Sequence, residues 1–201
     1  MKRLFVIVLL LTSILCAKSQ DYRRWENHIY AGQGFIYDYK DGQGEGGMSF
    51  VAGYGLSYRM SPHWSVMPGV ALRSIGEDLP AETFEGDDSD TFTFLDVPLL
   101  VRYHRGVGKG DHSFGIGPVL SFCVGNDTFY IDADPRSPLN HLNKCKKFSL
   151  GLQPTFSYQF ARHFNVSLDA YFCLTNLKQH HGLTTGNTYI HSLTCRMTFL
   201  F

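Results

Sequence analysis

The chain closes on YIHSLTCRMTFLF, Tyr189–Phe201, and the reading of this stretch decides the fold. Taken in twos, Tyr189, His191, Leu193, Cys195, Met197, Phe199 and Phe201 form one set; Ile190, Ser192, Thr194, Arg196, Thr198 and Leu200 form the other. Successive side chains of a strand point to opposite faces, so one face is largely apolar and the other is polar in its middle. No turn residue follows, and the sequence stops on an aromatic. A last strand of this kind suits a barrel in which it pairs with the first.

Seven more strands are expected upstream, over residues 29–37, 48–60, 64–74, 91–105, 113–124, 147–160 and 164–174, with the last over 188–201. The connections between them alternate. Residues 38–47, 75–90, 125–146 and 175–187 are long; residues 61–63, 106–112 and 161–163 are short. Outer-membrane barrels combine short periplasmic turns with long outside loops, an asymmetry that soluble meanders have no reason to adopt. An even strand number also returns both ends to one side.

The faces agree with that reading. In the sixth strand Phe148, Leu150, Leu152, Pro154, Phe156, Tyr158 and Phe160 oppose Ser149, Gly151, Gln153, Thr155, Ser157 and Gln159. In the fifth, Phe114, Ile116, Pro118, Leu120 and Phe122 oppose Ser113, Gly115, Gly117, Val119 and Ser121. The interior of an eight-stranded barrel is only wide enough for side chains to fill. Small and polar residues suit that space, and rows of Phe and Leu suit lipid. A secreted lipocalin-like carrier would need the reverse, leaving a surface of Ser, Gly and Gln with few charges. The fold class expected is therefore all-β: an eight-stranded antiparallel up-and-down transmembrane barrel.

Lys2 and Arg3 precede an apolar run, Leu4–Cys16, followed by Ala17-Lys18-Ser19. This is the pattern of a cleaved signal peptide over residues 1–19, leaving residues 20–201 as the barrel. Leu15 is too large for a lipobox before Cys16. Without residues 1–19 the 18 basic residues fall to 15 against 18 acidic ones. A slightly acidic chain without a basic stripe gives no reason to expect nucleic acid as a partner. Twenty glycines and 14% aromatic residues are in keeping with an all-β chain.

Pro68, Pro98, Pro118 and Pro154 fall inside expected strands, where proline cannot donate to the ladder; they argue against paired strands there unless bulges absorb them. The segments WSVMPGVAL (64–72), FLDVPLLVRY (94–103) and GIGPVLSF (115–122) resemble the small outer-membrane β-barrel domain common in Bacteroidetes, often called PorT-like. That family carries prolines at similar strand positions. The terminal Phe199 and Phe201 likewise resemble the C-terminal aromatic signal read by the barrel insertion machinery. The resemblance implies an outer-membrane location and brings no catalytic motif with it. The partners expected are outer-membrane lipid, the insertion machinery and an unidentified protein at the loops.

By the same parity the lumen receives Arg59, Arg73, Asp96, Arg102, Asp169 and Arg196. Charges facing hydrocarbon are expensive, so their agreement on one face supports the assignment. The expected role is a network of ion pairs that plugs the interior; a gated pore or proton path is the alternative. Glu77, Asp78, Glu82, Glu85, Asp87, Asp88 and Asp90 crowd one loop without EF-hand spacing, and a solvated outside loop is the plain reading. His141, His180 and His181 lack zinc-ligand spacing, and no metal or cofactor is expected. Some small barrels modify lipid A, so serine–histidine pairs matter. His112-Ser113 and His191-Ser192 are neighbours in sequence, which sends each pair to opposite faces, and no catalytic residue is expected.

Cys123 and Cys145 flank the longest loop with lumen parity on neighbouring strands, placing them to bridge in a disulfide-permissive compartment. Cys173 and Cys195 are expected as thiols, and four thiols is the alternative.

Overall fold

Strand β1 (Trp25–Lys40) runs beside β10 (Thr188–Leu200) in a continuous antiparallel ladder from His28↔Leu200 to Lys40↔Thr188, and this pairing closes the barrel. The computed structural model describes residues 24–40, 43–77, 91–106, 109–125, 144–179 and 188–201. The leader expected over 1–19, the acidic residues 78–90 and His141, His180 and His181 lie outside them. The other wall strands are β2 (Gln43–Arg59), β3 (Trp64–Glu77), β4 (Thr91–His104), β5 (His112–Cys123), β7 (Phe148–Ala161) and β8 (Phe164–Cys173). The order around the wall is β1-β10-β8-β7-β5-β4-β3-β2. Two short strands, β6 (Lys144–Cys145) and β9 (Lys178–Gln179), pair with each other outside the wall.

The wall is turned inside out relative to a soluble protein. Phe148, Phe156 and Phe172, all on outward positions, are 48%, 40% and 44% exposed. Ser149, Ser157, Ser167 and Thr194 are buried. Alternate residues obey this rule on every wall strand, as in β5, whose pattern of exposure switches at each residue from His112 to Ser121. Around the end that carries Trp25 and Phe201, the outward rings meet in sequence: Trp25 on Tyr58 at 4.5 Å, Trp64 on Tyr103 at 5.3 Å, His112 on Tyr158 at 4.7 Å, Phe164 on Phe199 at 5.5 Å. Such a girdle marks the boundary between hydrocarbon and water in transmembrane barrels.

Three expectations are corrected. Residues 38–47 are not an open loop: β1 and β2 stay paired as far as Lys40↔Gln43. Gly44, Gly46 and Gly47 weaken the local propensity for strand, but the opposite strand continues its alternation through Phe35 and Tyr37, and pairing carries the glycines along. The first connection therefore breaks the expected alternation of long and short.

The prolines, second, are not absorbed by bulges. Each lies at a gap in a ladder whose register does not change. β2–β3 passes from Gly55↔Gly69 to Tyr58↔Val66 around Pro68, and β3–β4 from Pro68↔Leu99 to Ala71↔Asp96 beside Pro98. β4–β5 passes from Pro98↔Val119 to Val101↔Ile116 around Pro118, and β7–β8 from Leu152↔Phe172 to Thr155↔Asp169 around Pro154. A missing N–H removes hydrogen bonds without adding a residue, so the count across the strands stays matched. The one register shift in the β7–β8 ladder falls elsewhere, between Gln159 and Ala161.

The interior, third, is not small and polar throughout. Toward the end away from Phe201 it is apolar: Ile36, Ile75, Phe92, Phe94, Val119 and Ile190 pack together with Tyr171 and Leu177. Glycines on the inward face make the room. A Cβ on Gly151 would stand 2.3 Å from the Tyr171 ring, and one on Gly47 would stand 2.9 Å from Ile36 Cδ1.

Candidate functional site

The interior polar groups form layers, each supplied by several strands. Toward the end that carries Phe201, the ends of β2, β3 and β4 and the turn before β5 bring Arg59, Ser65, His104 and Asp111 together. His104 Nδ1 lies 2.7 Å from Asp111 Oδ2, and His104 Nε2 lies 2.8 Å from Ser65 Oγ. Arg59 Nη2 donates to Asp111 Oδ2 at 3.1 Å. A carboxylate only accepts, so the short contact to Asp111 assigns the proton to Nδ1, and Nε2 then accepts from the Ser65 hydroxyl. Burial alone would raise the Asp111 pKa. The His104 hydrogen bond, the Gly106 N–H at 2.9 Å and the charge of Arg59 outweigh it and hold the carboxyl below the usual aspartate range.

This is the connectivity of a hydroxyl nucleophile, its base and the base's orienting acid. Chemistry would further require a reacting carbon within reach of Oγ, and Ser65 is 0% exposed. The arrangement ties three strands and a turn together. It was not legible in sequence, because its members are dispersed over residues 59–111. The one available signal was that His104 shares the parity of Arg102.

Deeper in, Arg102 Nη2 donates to Ser113 Oγ at 2.8 Å and to Ser157 Oγ at 2.6 Å. Arg196 pairs with Asp169 through Nε and through Nη2, the latter at 2.5 Å to Oδ1, and its guanidinium lies 4.4 Å from the Tyr30 ring centre. Gln153 Nε2 reaches the same Asp169 Oδ1 at 3.3 Å. Further along, Arg73 holds Asp96 through two nitrogens and stacks 4.1 Å over Tyr171. Tyr171 and Arg73 both reach Ser121 Oγ, which leads into the apolar cluster. All six charges assigned to the lumen from sequence face inward. The structure joins them as pairs and short chains, with Asp111 as the partner of Arg59 that parity alone did not supply.

Two spaces among the described interior residues are small. A cavity of about 30 Å³ adjoins Arg73, Asp96, Asp169 and Arg196, and one of about 10 Å³ adjoins Arg102, Arg196 and Asn165. About one water-sized probe fits in 10–15 Å³. At the far end, β6 and β9 lay Cys145 and Leu177 onto the apolar cluster.

The bridge expected between Cys123 and Cys145 is not formed. Both stand as thiols, because Cys145 is carried by β6, which pairs with β9 and buries the side chain with Sγ 3.6 Å from the Lys146 carbonyl. Cys173 Sγ donates to Thr175 O at 3.1 Å, and Cys195 faces outward. His112 stacks on the outward Tyr158 ring and His191 tilts against the outward Phe172 ring, while Ser113 and Ser192 are buried, so neither sequence pair forms a dyad. Among the described residues no three His, Cys, Asp or Glu side chains converge as metal ligands.

At the seam, Phe201 and Asn27 exchange backbone hydrogen bonds, Asn27 N to Phe201 O at 3.0 Å and Phe201 N to Asn27 O at 3.1 Å. The rings of Phe199 and Phe201 stack on the outer surface at 5.9 Å.

Comparison with known proteins agrees with this architecture. Residues 19–179 match the family described as outer membrane protein beta-barrel domain. Neisserial surface protein A superposes with a TM-score of 0.53 at 11% identity, over 87% of this chain and 97% of that one. Ail, the attachment invasion locus protein of Yersinia pestis, superposes with a TM-score of 0.51 at 13% identity, over 89% of this chain and 100% of that one. No curated protein matches the sequence. At these identities the structural likeness speaks for the fold.

Proposed function

The chain belongs to the outer membrane protein β-barrel domain family and resides in the outer membrane, and from that footing we propose that it is a closed, non-enzymatic barrel that presents its loops to a protein partner. The supporting observation is the filled interior. Arg73–Asp96 and Arg196–Asp169, each between neighbouring strands, and Arg59–Asp111 line the lumen, the apolar cluster occupies its far end, and the two cavities described above hold little more than single waters. Eight strands leave no spare width for a conducting path through that packing. In this reading the girdle end faces the periplasm, and lipid covers the wall. Phe199 and Phe201 present the C-terminal strand to the insertion machinery. On WSVMPGVAL, FLDVPLLVRY and GIGPVLSF we place the chain with the PorT-like barrels of Bacteroidetes.

Planar-bilayer recording of the purified protein tests the closed lumen. No stepwise conductance is expected, and steady ion-selective channels would overturn the proposal. Cross-linking in whole cells followed by mild-detergent purification tests for the partner.

A lipid-modifying enzyme is the second reading, favoured by the Ser65–His104–Asp111 chain. Against it, Ser65 is sealed from both lumen cavities and stands at the periplasmic end, away from the leaflet that carries lipid A. Mass spectrometry of lipid A from a deletion strain and from one carrying Ser65→Ala separates the two. Unchanged lipid A in both supports the first reading.

A further inference from the structure

The outer wall carries a recess. A groove of about 500 Å³, open along its length, crosses β4, β5, β7 and β8 on the outward face. Its girdle-side wall is Tyr103, Phe114 and Phe156, which stand opposite one another across three strands. Its floor is set by Pro154 and Ala170, the next outward positions on β7 and β8, both short and half-buried. Successive outward rows stand about 7 Å apart along a strand, so the groove is one row wide. It begins beside Trp64, the first residue of β3, and reaches Leu193, in the middle of β10. Strands of a transmembrane barrel are tilted, so a groove that follows their register runs from the girdle toward the hydrocarbon midplane. Width, lining and course suit one acyl chain.

At the girdle end of the groove the chemistry changes. Arg105 N donates to His112 O at 2.8 Å, which carries the β4–β5 register one outward step past Tyr103↔Phe114. Arg105, Lys109 and His112 are exposed there. The single acid of this turn, Asp111, is buried against Arg59 and His104. Tyr and Trp rings sit at the headgroup level of a bilayer, which puts Arg105 and Lys109 among the headgroups, where basic side chains attract anionic lipid. A cationic turn beside a one-chain groove complements a lipid with a net negative head and an apolar tail.

We propose that this groove holds one anionic glycerophospholipid, with an acyl chain along Pro154 and Ala170 and the phosphate at Arg105 and Lys109. The groove is continuous with the lipid-covered wall and adds a preference for one headgroup charge. The choice of a phospholipid over lipid A rests on the reading that the girdle end faces the periplasm, since lipid A belongs to the opposite leaflet.

The test is native mass spectrometry of the whole folded protein, delipidated in mild detergent and offered phosphatidylglycerol, phosphatidylcholine with the same chains, or lipid A. One phosphatidylglycerol per barrel is expected, retained severalfold better than phosphatidylcholine. Arg105→Ala combined with Lys109→Ala is expected to erase that preference. Ala170→Leu, which fills the floor, is expected to lower retention of both phospholipids severalfold. Equal retention of the two by the natural sequence, a preference that survives loss of Arg105 and Lys109, or retention indifferent to Ala170→Leu overturns the proposal. Preferential retention of lipid A overturns it together with the girdle orientation, whereas no bound lipid overturns the site alone. A dimer that Ala170→Leu breaks apart gives the groove to a second copy of the chain and overturns it too. If Ala170→Leu does not refold, the Arg105 and Lys109 variant decides.

Discussion

Arg73 and Asp96 are joined across β3 and β4 by two contacts, Nε–Oδ2 at 2.6 Å and Nη2–Oδ1 at 3.2 Å, with both side chains almost wholly buried. A two-pronged pair of this kind is worth little against a well-packed apolar replacement, but losing one partner strands the other charge. Arg73→Met should therefore cost about 3–5 kcal/mol of unfolding free energy. Arg73→Met combined with Asp96→Leu should recover most of that loss. Denaturant titrations of refolded protein, followed by tryptophan fluorescence, measure both. A double variant no more stable than the single one would mean that the pair does more than cancel its own burial.

The Asp111 cluster makes the girdle end of the barrel sensitive to acid. The folded-state pKa of Asp111 is depressed, so its contribution is fully present above the ordinary aspartate value, about 3.9. It is lost as pH falls through the lower folded value. Stability should decline with acid below about pH 4, and Asp111→Asn should flatten that part of the curve. Unfolding midpoints measured from pH 3 to 7 for both proteins provide the check. An unchanged acid slope in the variant would remove Asp111 from the account.

Two glycines limit how closely the strands can approach. A Cβ on Gly117 would stand 1.9 Å from Leu99 O, and one on Gly34 would stand 2.1 Å from Leu193 O. Both obstacles are backbone and cannot turn aside. Gly117→Ala and Gly34→Ala should sharply reduce the heat-modifiable folded band on gels. Gly76→Ala, where a Cβ meets nothing within 4 Å, should leave it intact. Equal folding of all three would mean that the wall tolerates local spreading.

Phe201 holds the seam through its backbone and offers its ring outward. Phe201→Ala keeps the exchange with Asn27 and removes the ring. Refolding in detergent should change by less than 1 kcal/mol or so, in line with loss of an exposed contact, whereas assembly in cells should fall if the ring is read during insertion. Comparing folded protein in the outer-membrane fraction with refolding yield separates the two effects. A parallel drop in both would assign the ring to stability alone.

Much of the wall was readable because strand alternation is local. The expected starts at Trp64, Thr91, Phe164 and Thr188 coincide with observed strand starts, and six of the inward charges were assigned by parity, Asp111 not among them. The first hairpin was misread because Gly44, Gly46 and Gly47 look like loop, and only their partners in β1 make them strand. Phe92 and Phe94 were outside the expectation of a small, polar lumen. Their fit depends on the space that inward glycines leave on other strands.

The sequence by itself determined which side chains meet lipid and which meet the interior, since a period of two is carried by neighbouring residues on one strand. Tertiary structure alone decided who meets whom inside. Ser65, His104 and Asp111 come together, and Arg102 meets the Ser113 and Ser157 hydroxyls, because closure and register set the height of every strand against the others. Those heights depend on the whole ring of pairings at once, and no single segment encodes them.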